Sequence, residues 1–199
     1  MKKVLFFIIV LSIQVFSQVK YSELKDIKYY ENSDDSYVNE KCKLDIYYPK
    51  DVQGYKTVVW FHGGGLVEGE KEIPERLKMN GFAIIGVGYR LTPKVKGEVC
   101  IKDAAAAVAW VYKNITKYGG DTNKIYLSGF SAGGYLTLML GLDKSWLGRY
   151  NIDCDKLAGL IPFSGQCVTH FTIRKEMGIP ELTPIIDKFA PLFYVRANT

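Results

Sequence analysis

The chain has 199 residues, enough for one domain with a sizeable core, and its 48% hydrophobic content with fourteen tyrosines and ten phenylalanines excludes a disordered polymer. The formal charge of +5 falls to +3 without Lys2 and Lys3 and is spread along the sequence, which argues against a nucleic-acid partner. Two histidines, four cysteines outside any zinc spacing, no phosphate loop and no dinucleotide fingerprint give no reason to expect a metal or a cofactor.

Met1-Lys2-Lys3, the apolar stretch 4–15 and Phe16-Ser17-Gln18 read as a secretory signal peptide over residues 1–17, cut after Ser17. The apolar run is shorter than the roughly 20 residues that span a bilayer. No cysteine stands at the cut to carry a lipid. The expected product is a periplasmic or secreted domain over residues 18–199 with no membrane span.

Residues 27–30 and 44–49 read as two antiparallel strands separated by a polar turn at 32–36. A third strand is expected at 57–61, and a polar helix at 72–80 that Gly81 stops. The stretch 82–89 is continuously apolar, the pattern of a parallel strand buried on both faces. Asp103 is placed to cap an alanine-rich helix in which Ala104, Ala107, Val108, Val111 and Ile115 share one face. The sequon Asn114-Ile115-Thr116 falls in that helix and is assigned no role. A strand at 124–127, a helix at 135–140 and another buried strand at 157–164 complete the pattern. Alternating strands and helices call for one α/β domain, a mostly parallel sheet covered on both faces with its ligand site at the carboxyl ends of the strands. Cys42, Cys100, Cys154 and Cys167 are either buried free thiols or include one disulfide.

Two motifs fall at such strand ends. In Ser128-Gly129-Phe130-Ser131-Ala132-Gly133-Gly134 a serine stands between a strand and a helix, with Gly129 and Gly133 two positions to either side. A strand that turns abruptly into a helix leaves no room for Cβ atoms at those positions, and the helix N-terminus then points free N–H groups at the serine. In Trp60-Phe61-His62-Gly63-Gly64-Gly65 the glycines free the N–H groups of Gly64 and Gly65 to join that of Ala132 around a tetrahedral oxyanion. His62 and Gly63 support this loop.

With these motifs the chain resembles the α/β-hydrolase superfamily and, within it, hormone-sensitive-lipase-like esterases with HGGG and GxSxG motifs. Gly88-Tyr89-Arg90-Leu91-Thr92-Pro93 and the segments 103–111 and 119–125 extend the resemblance, which runs from about Lys43 to Ser164. It implies the α/β-hydrolase fold, a small-molecule ester substrate and an acyl-enzyme on Ser131. Short-chain or acetylated-carbohydrate esters are the substrates it favours.

The resemblance also implies two strands beyond Ser164 that carry an acid and then a histidine, and residues 183–195 look like the approach to the first of them. The chain reaches Thr199 without either, so the domain is expected to be incomplete at its C-terminus and prone to self-association. His62 and His170 are the whole pool of bases, and Asp187 the one late acid near His170. A peptidase or amidase on the same scaffold, and a noncatalytic binding protein, are the competing readings. Glu68-Gly69-Glu70-Lys71-Glu72 and Asp153-Cys154-Asp155 read as solvated loops.

Overall fold

The computed structural model describes residues 19–196, so the leader read over residues 1–17 lies outside the described residues. β1 (Tyr21–Lys28), α1 (Ser36–Lys41) and β2 (Lys43–Pro49) open the domain. They are followed by β3 (Tyr55–Phe61), β4 (Ala83–Val87), α2 (Gly97–Asn114) and β5 (Gly120–Phe130). The rest comprises α3 (Ala132–Leu142), α4 (Lys144–Gly148), β6 (Gly159–Phe163) and α5 (Phe171–Glu176). The six strands form one sheet in the order β1-β2-β4-β3-β5-β6. Pairing is antiparallel through β1, β2 and β4 and parallel from β4 through β3 and β5 to β6.

The order reverses at β3, which has β4 on one side and β5 on the other. Loops that leave such a reversal diverge and open a crevice at the carboxyl ends of the strands. Phe61 pairs with Gly129, so the loop after β3 and the turn after β5 depart side by side. Val59, Phe61, Ile85, Val87, Ile125 and Leu127 form the middle of the core with the apolar faces of α2 and α3. Ala104, Ala107, Val108 and Val111 of α2 are fully buried, as their spacing predicts, and the small alanines let the helix pack close.

Several local expectations are corrected. β1 begins at Tyr21, well before the strand expected at 27–30. The polar helix expected at 72–80 is a single 3-10 turn, Glu75–Leu77, because Pro74 precedes it and Met79 turns to φ 60°. Asp103 caps nothing: α2 begins at Gly97, whose N–H donates to the Glu176 carboxylate at 2.9 Å. Asp103 instead sits fully buried in mid-helix, where it accepts from the Arg90 guanidinium at 2.8 and 2.9 Å, the Tyr30 hydroxyl and the Arg90 N–H. Asp35 caps α1, a helix the polar-turn reading missed.

The strand expected to be buried at 157–164 forms the outer edge of the sheet, with Ile161 43% and Phe163 49% exposed. Beside it an apolar groove of about 330 Å³ runs over the sheet face, lined by Val58, Leu77, Phe82, Tyr126, Ile161 and Phe163. All four cysteines are free thiols; Cys42, Cys100 and Cys154 are buried and Cys167 is exposed. No helix among the described residues is long and apolar enough to cross a membrane.

Candidate active site

β5 ends at Phe130, α3 begins at Ala132, and Ser131 between them sits at φ 54°, ψ −111°. That backbone region costs a non-glycine residue on the order of 1–3 kcal/mol, so the turn must be held from outside. The Ser131 N–H donates to the Phe163 carbonyl at 2.8 Å, and its carbonyl accepts from the Tyr135 N–H at 3.0 Å. A Cβ on Gly133 would lie 2.0 Å from the Phe61 carbonyl oxygen, and one on Gly129 would lie 2.6 Å from the backbone of Gly133 and Phe61. The glycines flanking the serine are therefore what lets β3, β5 and α3 meet. As the first residue of α3, Ala132 offers an N–H with no intrahelical partner and the positive end of the helix dipole.

The loop after β3 passes directly beside this turn: a Cβ on Gly63 would stand 3.7 Å from the Ser131 Cβ. Its carbonyls are tethered one after another. The His62 carbonyl accepts from the Tyr89 hydroxyl at 2.8 Å, and that of Gly63 from His62 Nδ1–H at 2.6 Å. The Gly64 carbonyl accepts from the N–H groups of Val67 and Glu68, both at 3.0 Å. Further on, Thr172 Oγ1 donates to the Gly65 carbonyl at 2.5 Å, and the Thr92 N–H and hydroxyl donate to that of Leu66. The N–H of a trans peptide points opposite its carbonyl, so tethering Gly63 and Gly64 turns the N–H groups of Gly64 and Gly65 the other way. Among the described residues neither N–H donates to a protein group.

Among the described residues neither histidine is hydrogen-bonded to Ser131. His62 is 4% exposed, stacks on Tyr89 with centroids 4.3 Å apart and keeps its Nδ1 proton on Gly63. Burial lowers its pKa and keeps it neutral. His170 lies between Tyr135 and Phe171, 1% exposed, and its Nδ1 accepts the Thr172 N–H at 3.3 Å. Burial, helped by Arg174, lowers its pKa to about 4. Neutral His170 with an occupied Nδ1 carries its proton on Nε2, the reverse of the tautomer in which a base accepts from serine. Asp187 is engaged elsewhere, accepting from the Thr169 hydroxyl at 2.6 Å and the Phe189 N–H at 2.8 Å. The structure thus brings together Ser131, Gly63, Gly64, Gly65 and Ala132, and does not link them to an acid and base.

A family model named BD-FAE matches residues 44–197, which contain all of these elements. The chain belongs to the BD-FAE family. Among characterised sequences it is similar to Esterase LipC of Mycobacterium tuberculosis, 36% identical over 107 residues that are 50% of this chain and 26% of that protein. Secreted lipase 5 of Gibberella zeae is 31% identical over 134 residues, 53% of this chain and 25% of that one. The matched part spans about a quarter of the length of these relatives. Among solved structures, a truncated form of a carbohydrate esterase from gut microbiota superposes with a TM-score of 0.69 at 19% identity, covering 89% of this chain and 73% of that one. Esterase B from Lactobacillus rhamnosis gives 0.56 at 24% identity, covering 73% and 47%. These likenesses show that the fold is that of the α/β-hydrolases.

In this BD-FAE domain the two acidic stretches are engaged in part. Glu70 pairs with Lys41 at 2.5 Å and Glu72 accepts the Trp60 indole N–H at 3.0 Å, around a depression of about 390 Å³ that also touches His62, Gly63 and Gly64. Asp153, Cys154 and Asp155 hold ligand-type atoms within 4.8 Å of one another, but Lys144 and Arg196 already occupy the Asp155 carboxylate. The groups that the sequence did not reveal are the braces of the glycine loop. Tyr89 and Thr92 belong to a segment that was legible as a motif, although their partners were not. Thr172 had no signal, since its partner Gly65 is 107 residues away.

Proposed function

We propose that the chain is a serine hydrolase of carboxylic esters that works through an acyl-enzyme on Ser131. The observation that carries this reading is the strained serine turn packed beside a glycine loop whose carbonyls are all tied back. Ser131 Oγ adds to the ester carbonyl, whose oxygen takes up the negative charge and accepts from the N–H groups of Gly64, Gly65 and Ala132. Collapse of that intermediate expels the alcohol, which leaves with the serine proton, and water then releases the acid. No cofactor or metal enters this chemistry.

The relatives' names, Esterase LipC and Secreted lipase 5, support the ester class. A carbohydrate esterase from gut microbiota and a bifunctional GH43-CE protein of Bacteroides eggerthii among the structural neighbours support acetylated-carbohydrate or short-chain esters over long-chain lipids. The leader over residues 1–17, with a secreted lipase among the relatives, supports export.

Because His170 carries its proton on Nε2 and His62 is stacked on Tyr89 as a brace of the glycine loop, this chain is expected to react with an activated phosphonate more readily than it turns over an ordinary ester. An oxyanion hole without a working triad still contributes about 10³ to 10⁴ over water. Stoichiometric labelling by a fluorophosphonate that disappears in Ser131→Ala is the expected result. A Ser131→Ala chain that labels like the parent would overturn the reading. The same histidine geometry favours a second reading, a noncatalytic ester-binding protein, which saturable binding of an ester without labelling or turnover would support.

A further inference from the structure

The end of β6 and the segment that follows it touch the site at three points. The Phe163 carbonyl holds the Ser131 N–H. Gly165 lies against Gly134, so that a Cβ on either would come within 3 Å of the other's backbone. Beyond them α5 lays its first two residues on the glycine loop: the Phe171 ring stands 2.9 Å from where a Gly65 Cβ would be, and the Thr172 hydroxyl donates to the Gly65 carbonyl at 2.5 Å.

That last contact differs from the other tethers. The carbonyls of His62, Gly63, Gly64 and Leu66 are held by Tyr89, Thr92 or the loop itself, all from the first half of the chain. Thr172 is the one brace from the second half among the described residues, and it is 5% exposed, shielded from competing water. It also acts at a strained joint of the loop. Gly65 and Leu66 both have φ 63°, and the peptide between them is the one whose rotation changes ψ of Gly65 and φ of Leu66 together. A hydroxyl fixed on the Gly65 carbonyl stops that rotation and pins Gly65 from its carbonyl side, while the preceding peptide, which carries the Gly65 N–H, is held through the Gly64 carbonyl.

We infer that Thr172 is a positioning residue for the oxyanion hole: its hydroxyl, and not its bulk, holds Gly65 in the conformation that presents its N–H. The segment after β6 thereby takes part in forming the hole. This inference rests on the reading of Gly64, Gly65 and Ala132 as oxyanion donors.

The test labels the full chain, Thr172→Val, Thr172→Ser and Ser131→Ala with a fluorophosphonate, reading the maximal rate and the half-saturating probe concentration separately. Thr172→Val keeps the shape and removes the donor, and it should lower the maximal rate roughly 10-fold with little change in half-saturation. Thr172→Ser should stay within about twofold of the parent, because its hydroxyl still reaches Gly65. Backbone resonances give a second readout: the Gly65 and Leu66 amides should shift in Thr172→Val and stay in place in Thr172→Ser. A Thr172→Val chain as fast as the parent overturns the inference, and so does a Thr172→Ser chain as slow as Thr172→Val. If the parent itself takes no probe, the hydrolase reading fails instead, and unmoved Gly65 and Leu66 amides in Thr172→Val then overturn the inference separately.

Discussion

At the β1–β2 flank of the sheet, Leu44 and Ile46 are fully buried, and Asp103 behind them binds Arg90, Tyr30 and Cys42 in one closed cluster. At the β6 flank, Ile161 and Phe163 are about half exposed along an apolar groove, and Phe130 at the end of β5 is 53% exposed. Both flanks carry strand-forming apolar residues, Leu44 and Ile46 in β2 and Leu160, Ile161 and Phe163 in β6, although β1 outside β2 is mostly polar. What separates them is whether a further layer of described residues lies on top. The candidate site straddles the two. Its glycine loop is braced from the closed flank by Tyr89 and Thr92, and its serine turn is braced from the open one by Phe163.

The largest effect should come from breaking the closed flank. Asp103→Ala leaves the Arg90 guanidinium, whose side chain is 17% exposed, facing only Asp35 at 3.5 Å, and removes the acceptor for Tyr30. Loss of one partner of a buried pair costs about 3 kcal/mol or more, read as a lower urea midpoint. A loss under about 1 kcal/mol would mean that this flank is held no better than the other.

An intermediate effect belongs to the seam between them, where His170 packs on Tyr135. Its folded pKa is lowered to about 4. Above about pH 6.5 the ring is neutral in both states; below it the unfolded chain takes up a proton that the folded chain refuses. Stability is therefore fully present above that pH and lost as pH falls toward 4, by at most about 3 kcal/mol. His170→Gln should flatten that part of the stability profile, and an unchanged slope would place the titration elsewhere. The smallest effect is expected at the open flank: Phe163→Lys should change unfolding free energy by no more than about 0.5 kcal/mol. A penalty as large as that of Asp103→Ala would erase the distinction between the flanks.

The central strands, the serine turn and the glycine loop were legible in the sequence because their causes are local. Runs of apolar residues end in glycines that a sharp turn requires, and Gly133 against Phe61 shows the reason at 2.0 Å. Asp103 was misread because an acid before alanines is a good cap in isolation, while Arg90, thirteen residues earlier, decided its place. The stretch around Leu160 and Phe163 carries the same apolar signature whether covered or bare, so its exposure was invisible. His170 could be found by counting, since there are only two histidines, but its tautomer is set by a backbone N–H that no spacing announces.

The bond from the Ser131 N–H to the Phe163 carbonyl makes the backbone of the proposed nucleophile a continuation of the β5–β6 ladder. Edge strand and serine turn share one mechanical coordinate: a tilt of the Phe163 peptide is a tilt of the serine. The residue at the rim that looks freest to vary by exposure is thus constrained through its main chain. Its side chain is open to drift, while its backbone is tied to the Ser131 turn one hydrogen bond away.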